Sequence, residues 1–132
     1  MDFKIKTLKF KSGEEIIIRE TEDGGYVCPI CGFVGRDEPP YADSQALVNG
    51  QRVGTVSAGA SFEICPVCAT QYGDDDFPNE DEPQSRNWKW QQLRREWLRR
   101  IEITDEVKNQ LRNLDLEPDA EIRQAKEEKD SG

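Results

Sequence analysis

Two short runs of interleaved apolar and charged residues open the chain, "FKIKTLKF" over 3–10 and "EEIIIRE" over 14–20. Phe3, Ile5, Leu8 and Phe10 lie in the first and Ile16, Ile17 and Ile18 in the second, with Ser12-Gly13 as the turn between them. This pattern predicts a β-hairpin over residues 2–20. Lys4, Lys6, Lys9 and Lys11 on one strand then oppose Glu14, Glu15 and Glu20 on the other, and each cross-strand pair contributes about 0.2–1 kcal/mol. A positively charged binding strand is the functional alternative.

Further along, Leu47-Val48 and Arg52-Val53 flank Asn49-Gly50, a type I′ hairpin signal. The other Gly, Ser and Ala residues of 36–61 predict flexible loop. "GDDDFPNEDEP" holds six acidic residues between Asp74 and Glu82, which predicts a solvated connector. From Ser85 the period changes. Trp90, Leu93, Trp97 and Ile101 recur three and four apart, so a helix over 86–102 would bury that stripe. Thr104 can cap a second helix with Asp105 and Glu106 in its first turn and Val107, Leu111 and Leu114 as its stripe. Pro118 can begin a third segment, but only Ile122 and Ala125 offer burial there, so the tail reads as frayed helix or disorder.

Composition makes this patterning more demanding. Apolar residues are 35% of the 132 and charged residues 34%, too thin a mixture for a large core. Small domains with thin cores usually rely on a metal or disulfides. Three Trp and five Phe argue against a wholly disordered chain. No apolar run nears the roughly 20 residues a membrane helix needs, and "MDFKIKTLKF" lacks the apolar segment of a signal peptide. A cytoplasmic, reducing location is therefore expected, where cysteines serve as metal ligands more often than as disulfides. The net charge of −9 disfavours non-specific nucleic-acid binding.

The cysteines stand as two pairs, "CPICG" with Cys28 and Cys31, and "CPVCA" with Cys65 and Cys68. Two intervening residues allow one tight turn to aim both sulfurs at a single ion, and the proline fixes φ near −65° at the turn's first position. Gly32 can take a left-handed conformation freely. Ala69, at the matching place, would pay about 1–2 kcal/mol for it, so the second turn should be strained or shaped differently. The chain has no histidine. A four-ligand site built from these residues is all-sulfur, which means zinc, with a single iron as the alternative. Thiol or disulfide chemistry is the remaining option.

"YVCPICGF" and "FEICPVCATQYGDDDF" resemble the two metal knuckles of rubredoxin-like and zinc-ribbon domains. The second also resembles a bacterial cysteine-rich family labelled CPCC, in which a stretch like "YEICPVC" precedes acidic residues. The likeness covers mainly residues 26–77, with a weaker echo in "LRREWL". It implies a metal-binding domain with Cys28, Cys31, Cys65 and Cys68 as ligands. Rubredoxins carry glycine where Ala69 stands and lack the "GTVSAGAS" segment, which weighs against electron transfer but not against metal ligation.

"NWKWQQLRREWLRR" gathers Lys89, Arg94, Arg95, Arg99 and Arg100 against the single acid Glu96. Trp90 and Trp97 fit the buried stripe. Trp88 falls on the side of Gln92, Arg95 and Arg99, where it can pack at the helix entrance on the metal ribbon, make a cation–π contact, or anchor a partner. Trp88, Arg95 and Arg99 are thus the candidate interaction surface. Nucleic acid is the lesser candidate partner, because the acidic connector can neutralise this helix from within.

The expected architecture is a small α+β, metal-centred domain with zinc-ribbon or rubredoxin-like knuckles, an N-terminal β-hairpin and C-terminal helices. Residues 1–103 would form the metal-binding domain (hairpin 2–20, four-cysteine ribbon 26–77, helix 86–102), and 104–132 a helical, partly disordered extension. The expected function is a non-catalytic zinc-binding module that meets another protein, with no membrane contact. No nucleophile–base pair is visible to suggest an enzyme. The alternatives are a rubredoxin-like iron electron carrier and an acidic, immunity-type inhibitor of a basic partner.

Overall fold

The computed structural model describes residues 3–10, 12–48 and 51–131. Strands β1 (Lys4–Lys9) and β2 (Glu15–Glu20) form the expected hairpin, with Gly13 at φ +95° in its turn. The register sets Lys4 opposite Glu20 and Lys9 opposite Glu15, and Lys9 reaches Glu15 at 4.0 Å. Leu8, Ile16 and Ile18 are buried on one face, whereas Ile5 and Ile17 point to solvent. Alternation explains the split: side chains of neighbouring residues in a strand face opposite ways, so three consecutive isoleucines cannot share one core.

The sheet continues through β3 (Tyr26–Val27) and β4 (Val34–Arg36) in the order β1-β2-β3-β4, antiparallel throughout. A second, two-stranded sheet pairs β5 (Tyr41–Val48) with β6 (Gln51–Ala60). The segment expected to be flexible loop is therefore largely extended. A long antiparallel partner supplies the backbone hydrogen bonds that its small residues cannot signal locally. The hairpin is where Leu47-Val48 and Arg52-Val53 predict it, while the Asn49-Gly50 turn lies outside the described residues.

Helix α1 (Arg86–Arg100) is capped by Ser85, whose Oγ accepts from the Trp88 N–H at 3.1 Å. It buries Trp90, Arg94, Trp97 and Leu98, while Leu93 and Ile101 are only half-buried. The inward face is thus rotated from the expected stripe, and a charged residue occupies it. Helix α2 (Asp105–Asn113) begins at the Thr104 cap, whose Oγ1 accepts from the Val107 N–H at 3.2 Å, and buries Val107 and Leu111. Helix α3 (Pro118–Ser131) packs on α1 and buries Ala125, so the tail read as frayed helix or disorder is helical. No helix among the described residues is long and apolar enough to cross a membrane.

The acidic connector requires a correction as well. Asp76 is fully buried rather than solvated. Its carboxylate accepts from Tyr41 Oη at 2.6 Å, Trp90 Nε1 at 2.8 Å, the Gly73 N–H at 2.7 Å and Arg86 at 2.8 Å. The Arg86 guanidinium is in turn stacked among the rings of Phe10, Tyr41 and Phe77 at 5.2–5.5 Å. The remainder of the connector contributes an ion pair from Glu82 to Lys89 at 3.0 Å.

Candidate metal centre

The two cysteine pairs are built alike. In the first, the Cys28 N–H donates to the Phe33 carbonyl and the Gly32 N–H to the Cys28 carbonyl, both at 2.9 Å. In the second, the Cys65 N–H donates to Thr70 O at 3.0 Å and the Ala69 N–H to Cys65 O at 2.8 Å. Strands β3 and β4 frame the first turn, and an isolated bridge between Ile64 and Gln71 frames the second. Gly32 has φ +80° and Ala69 φ +61°. Ala69 thus adopts the left-handed conformation that glycine provides in the first turn, and the second turn keeps the shape at the cost of strain.

This duplication brings Cys28, Cys31, Cys65 and Cys68 into one buried cluster whose sulfurs all lie within 4.8 Å of one another. Across the two turns, Cys28 Sγ lies 3.8 Å from Cys68 Sγ, and Cys31 Sγ lies 3.7 Å from Cys65 Sγ. A regular tetrahedron of thiolates at about 2.3 Å from a zinc ion has edges of about 3.8 Å. The sulfurs are free thiols at these separations, with no disulfide among them. The four cysteines can therefore hold a metal ion, and the all-sulfur donor set suits zinc or a single iron.

Protonation divides the cluster by turn. Burial leads in pushing the Cys28 thiol well above its ordinary value, and hydrogen bonding with the other three thiols leads in raising Cys31. Hydrogen bonds from Cys28 and Cys31 hold Cys65 and Cys68 low. Cys28 pairs with Cys68 and Cys31 with Cys65 across the two turns, and either sulfur of each pair can be the donor while a proton lies between them. A cation replaces those protons, because only thiolates ligate. Bound there, it would supply cross-linking of the two turns, and a closed four-sulfur shell leaves no position for a reactive water.

Polar groups that the sequence reading did not single out surround the sulfurs. Arg94, 9% exposed, donates from Nε to Ile30 O at 2.6 Å and from Nη2 to Pro29 O at 2.9 Å, clamping the first turn onto α1. Its position was signalled: it lies four residues from both Trp90 and Leu98, on the apolar face. Asn113 Nδ2 donates to Gly32 O at 3.0 Å, and α2 comes so near that a Cβ on Gly32 would sit 1.9 Å from the Gln110 carbonyl oxygen. The Thr70 hydroxyl lies 3.4 Å from Cys68 Sγ. Tyr72 is fully buried against the cluster, and no pattern in "TQYGDDD" sets it apart.

The candidate interaction surface is placed less simply. Trp88 is half-buried at the start of α1. Arg95 donates to Gln124 Oε1 at 2.7 Å and Arg99 to Ala125 O at 3.2 Å, so both join α1 to α3. Comparison with known proteins returned no similarity: no family model, no curated protein and no solved structure matches this chain. The four-cysteine cluster is compatible with a cysteine-rich metal-binding domain, and no match identifies the chain as a zinc ribbon or a CPCC-type protein.

Proposed function

We propose that the chain is a non-catalytic zinc-binding protein in which Cys28, Cys31, Cys65 and Cys68 hold one structural ion and the surrounding surface meets another protein. The observation that carries this reading is the cluster of buried sulfurs within 4.8 Å of one another. A closed thiolate shell favours a structural ion over a catalytic one. The elements it would join support the same role, since β3, β4, α1 and α2 all contact the first turn. With no histidine in the chain and every cysteine in the cluster, the usual nucleophile–base pairs are missing. Free thiols fit a reducing compartment such as the cytoplasm. The net charge of −9 favours a protein partner over a nucleic acid.

The test is metal quantification on protein isolated from its native cells, with a visible spectrum of the same sample. One zinc per chain and a colourless solution are expected. A coloured, iron-loaded protein would replace this reading with the electron carrier, and metal-free protein that resists loading would remove both.

A further inference from the structure

Phe62 carries its ring on the outside of the protein. Its backbone has φ +61°, a left-handed conformation that a bulky residue rarely adopts, and the residue is 59% exposed. The ring is nevertheless held in place. Gln71 Nε2 donates to the Phe62 carbonyl at 3.1 Å, and the ring edge lies so close to Gly73 that a Cβ there would sit 2.9 Å from Phe62 Cε1. An exposed aromatic that is already fixed loses little freedom when a partner covers it. Ile64 and Pro66 continue the exposed apolar surface along the same segment.

Beside the ring runs an open groove of about 450 Å³, walled by Pro39, Ala42, Ala60 and Phe62 and lined also by Glu38 and Asp43. Its charged lining is wholly acidic. Asp43 faces Lys6 at 3.7 Å in an exposed pair, whereas Glu38 and its neighbour Asp37 are exposed with no ion-pair partner among the described residues. Apolar walls with one sign of charge at the rim select a partner of the opposite sign. A second copy docked about a two-fold axis would set the same carboxylates against each other, and a nucleic acid would bring phosphates to them. So open a groove covers too little of a small ligand, but it suits one side chain presented on a larger surface. We propose that the Phe62 groove docks a segment of another protein in which an apolar side chain, seated against Phe62, is flanked by Lys or Arg facing Asp37 and Glu38. This rests on the reading of the chain as a module that meets another protein, and gives that reading a surface and a partner chemistry.

The experiment places photoreactive benzoylphenylalanine at position 62 of the full chain in its native cells and identifies the cross-linked peptides by mass spectrometry. Ala42, exposed on the groove wall, takes the same probe in a second protein, so that the result does not depend on position 62 alone. Phe77, equally exposed at 60% but set over Arg86, and Trp88 at the start of α1 take it as comparisons. Zinc content is read on the same samples, so failure of the metal-binding reading is seen separately. Positions 62 and 42 should capture the same apolar, Lys- or Arg-flanked segment of one partner. Adding Asp37→Lys and Glu38→Lys should lower that yield about 3-fold or more, as expected when exposed charge pairs are reversed. Capture of an acidic segment or of a second copy of this chain overturns the proposal, and so does a yield indifferent to the charge reversal. A partner captured at position 77 or 88 but not at 62 or 42 also overturns it, while leaving the partner reading to stand on another surface. No adduct at any position removes both.

Discussion

The Trp90 indole N–H donates to the Asp76 carboxylate across 2.8 Å, inside the protein, where that carboxylate also faces Arg86 at 2.8 Å. Helix α1 is thereby anchored to the loop that follows the second cysteine turn. Because Asp76 is fully buried and all its partners are donors, truncating it strands an arginine, an indole and a phenol together. Asp76→Ala should cost about 3–5 kcal/mol, as for a buried ion pair broken on one side. Denaturant unfolding of the metal-loaded protein measures this. A loss under about 1 kcal/mol would mean that the network contributes little.

Asp76 also shows where sequence reading stops. Nothing in "GDDDF" distinguishes it from Asp74 or Asp75. Its burial is decided by Tyr41 and Trp90, which lie far away in the chain. The cysteine pairs were legible because one turn must present two sulfurs, which is a local constraint, and the Thr104 cap was legible for the same reason. Strand β6 was hidden because "GTVSAGA" has weak strand propensity, and its partner β5 is a tertiary fact. Arg94 was half-legible, a charge on an apolar helical face whose acceptors, the Pro29 and Ile30 carbonyls, only the fold brings near.

Arg94 should matter to the metal as well as to the fold. Its guanidinium holds two carbonyls of the first turn and places a positive charge near Cys28 and Cys31. Removal therefore loosens the turn and leaves a tetrathiolate complex with less neutralisation. Arg94→Met should lower zinc affinity about 10–100-fold. Arg94→Lys should recover little of this, because a point charge cannot bond two acceptors as a planar fork does. Chelator competition distinguishes the three proteins.

The two turns predict opposite responses to the same pair of residue types. Ala69 sits at φ +61°, so Ala69→Gly relieves left-handed strain and should stabilise the loaded protein by about 1 kcal/mol, after allowing for glycine's greater freedom when unfolded. Gly32→Ala adds that strain and also drives a Cβ to 1.9 Å from the Gln110 carbonyl oxygen. Helix α2 would have to move, and a loss of more than 3 kcal/mol is expected, with the overlap counted as core overpacking. Equal effects at the two positions would contradict the geometry.

The start of α1 makes acid stability depend on Glu14. Burial alone would raise this carboxyl. Hydrogen bonds from the Arg86 and Asn87 N–H groups and the Ser85 hydroxyl outweigh it and hold the group below its ordinary 4.5. A carboxyl lowered in the folded state contributes its stability above the unfolded value and loses it as pH falls through the folded one. Glu14 should therefore contribute fully above about pH 4.5 and progressively less below. Partial exposure keeps the contribution to about 0.5–1 kcal/mol. Glu14→Gln should be less stable than wild type at pH 7, and the gap should close on acidification. A gap that persists at pH 2–3 would show that the carboxylate charge is not its source.

Removing the proposed metal ion is the most direct test of what the four-cysteine cluster contributes to the structure. The four sulfurs gather around one point, and the first turn alone touches α1 and α2 through Arg94 and Asn113. Without a cation, buried thiols with weak mutual hydrogen bonds must hold two turns that are far apart in sequence. Structural zinc supplies about 10–16 kcal/mol to zinc-finger peptides, which is comparable to the whole stability of a typical domain. Leu8, Ile16, Ile18, Trp97 and Leu98 remain as an apolar core, so the stripped chain should retain some helical signal while losing most of its cooperative thermal transition. Because thiols must lose protons to ligate, acid should strip the metal as a chelator does, and affinity should fall as pH is lowered. Circular dichroism melts before and after chelation, and after zinc is returned, test this. A stripped protein that melts at the same temperature and with the same cooperativity would show that the fold does not depend on a metal.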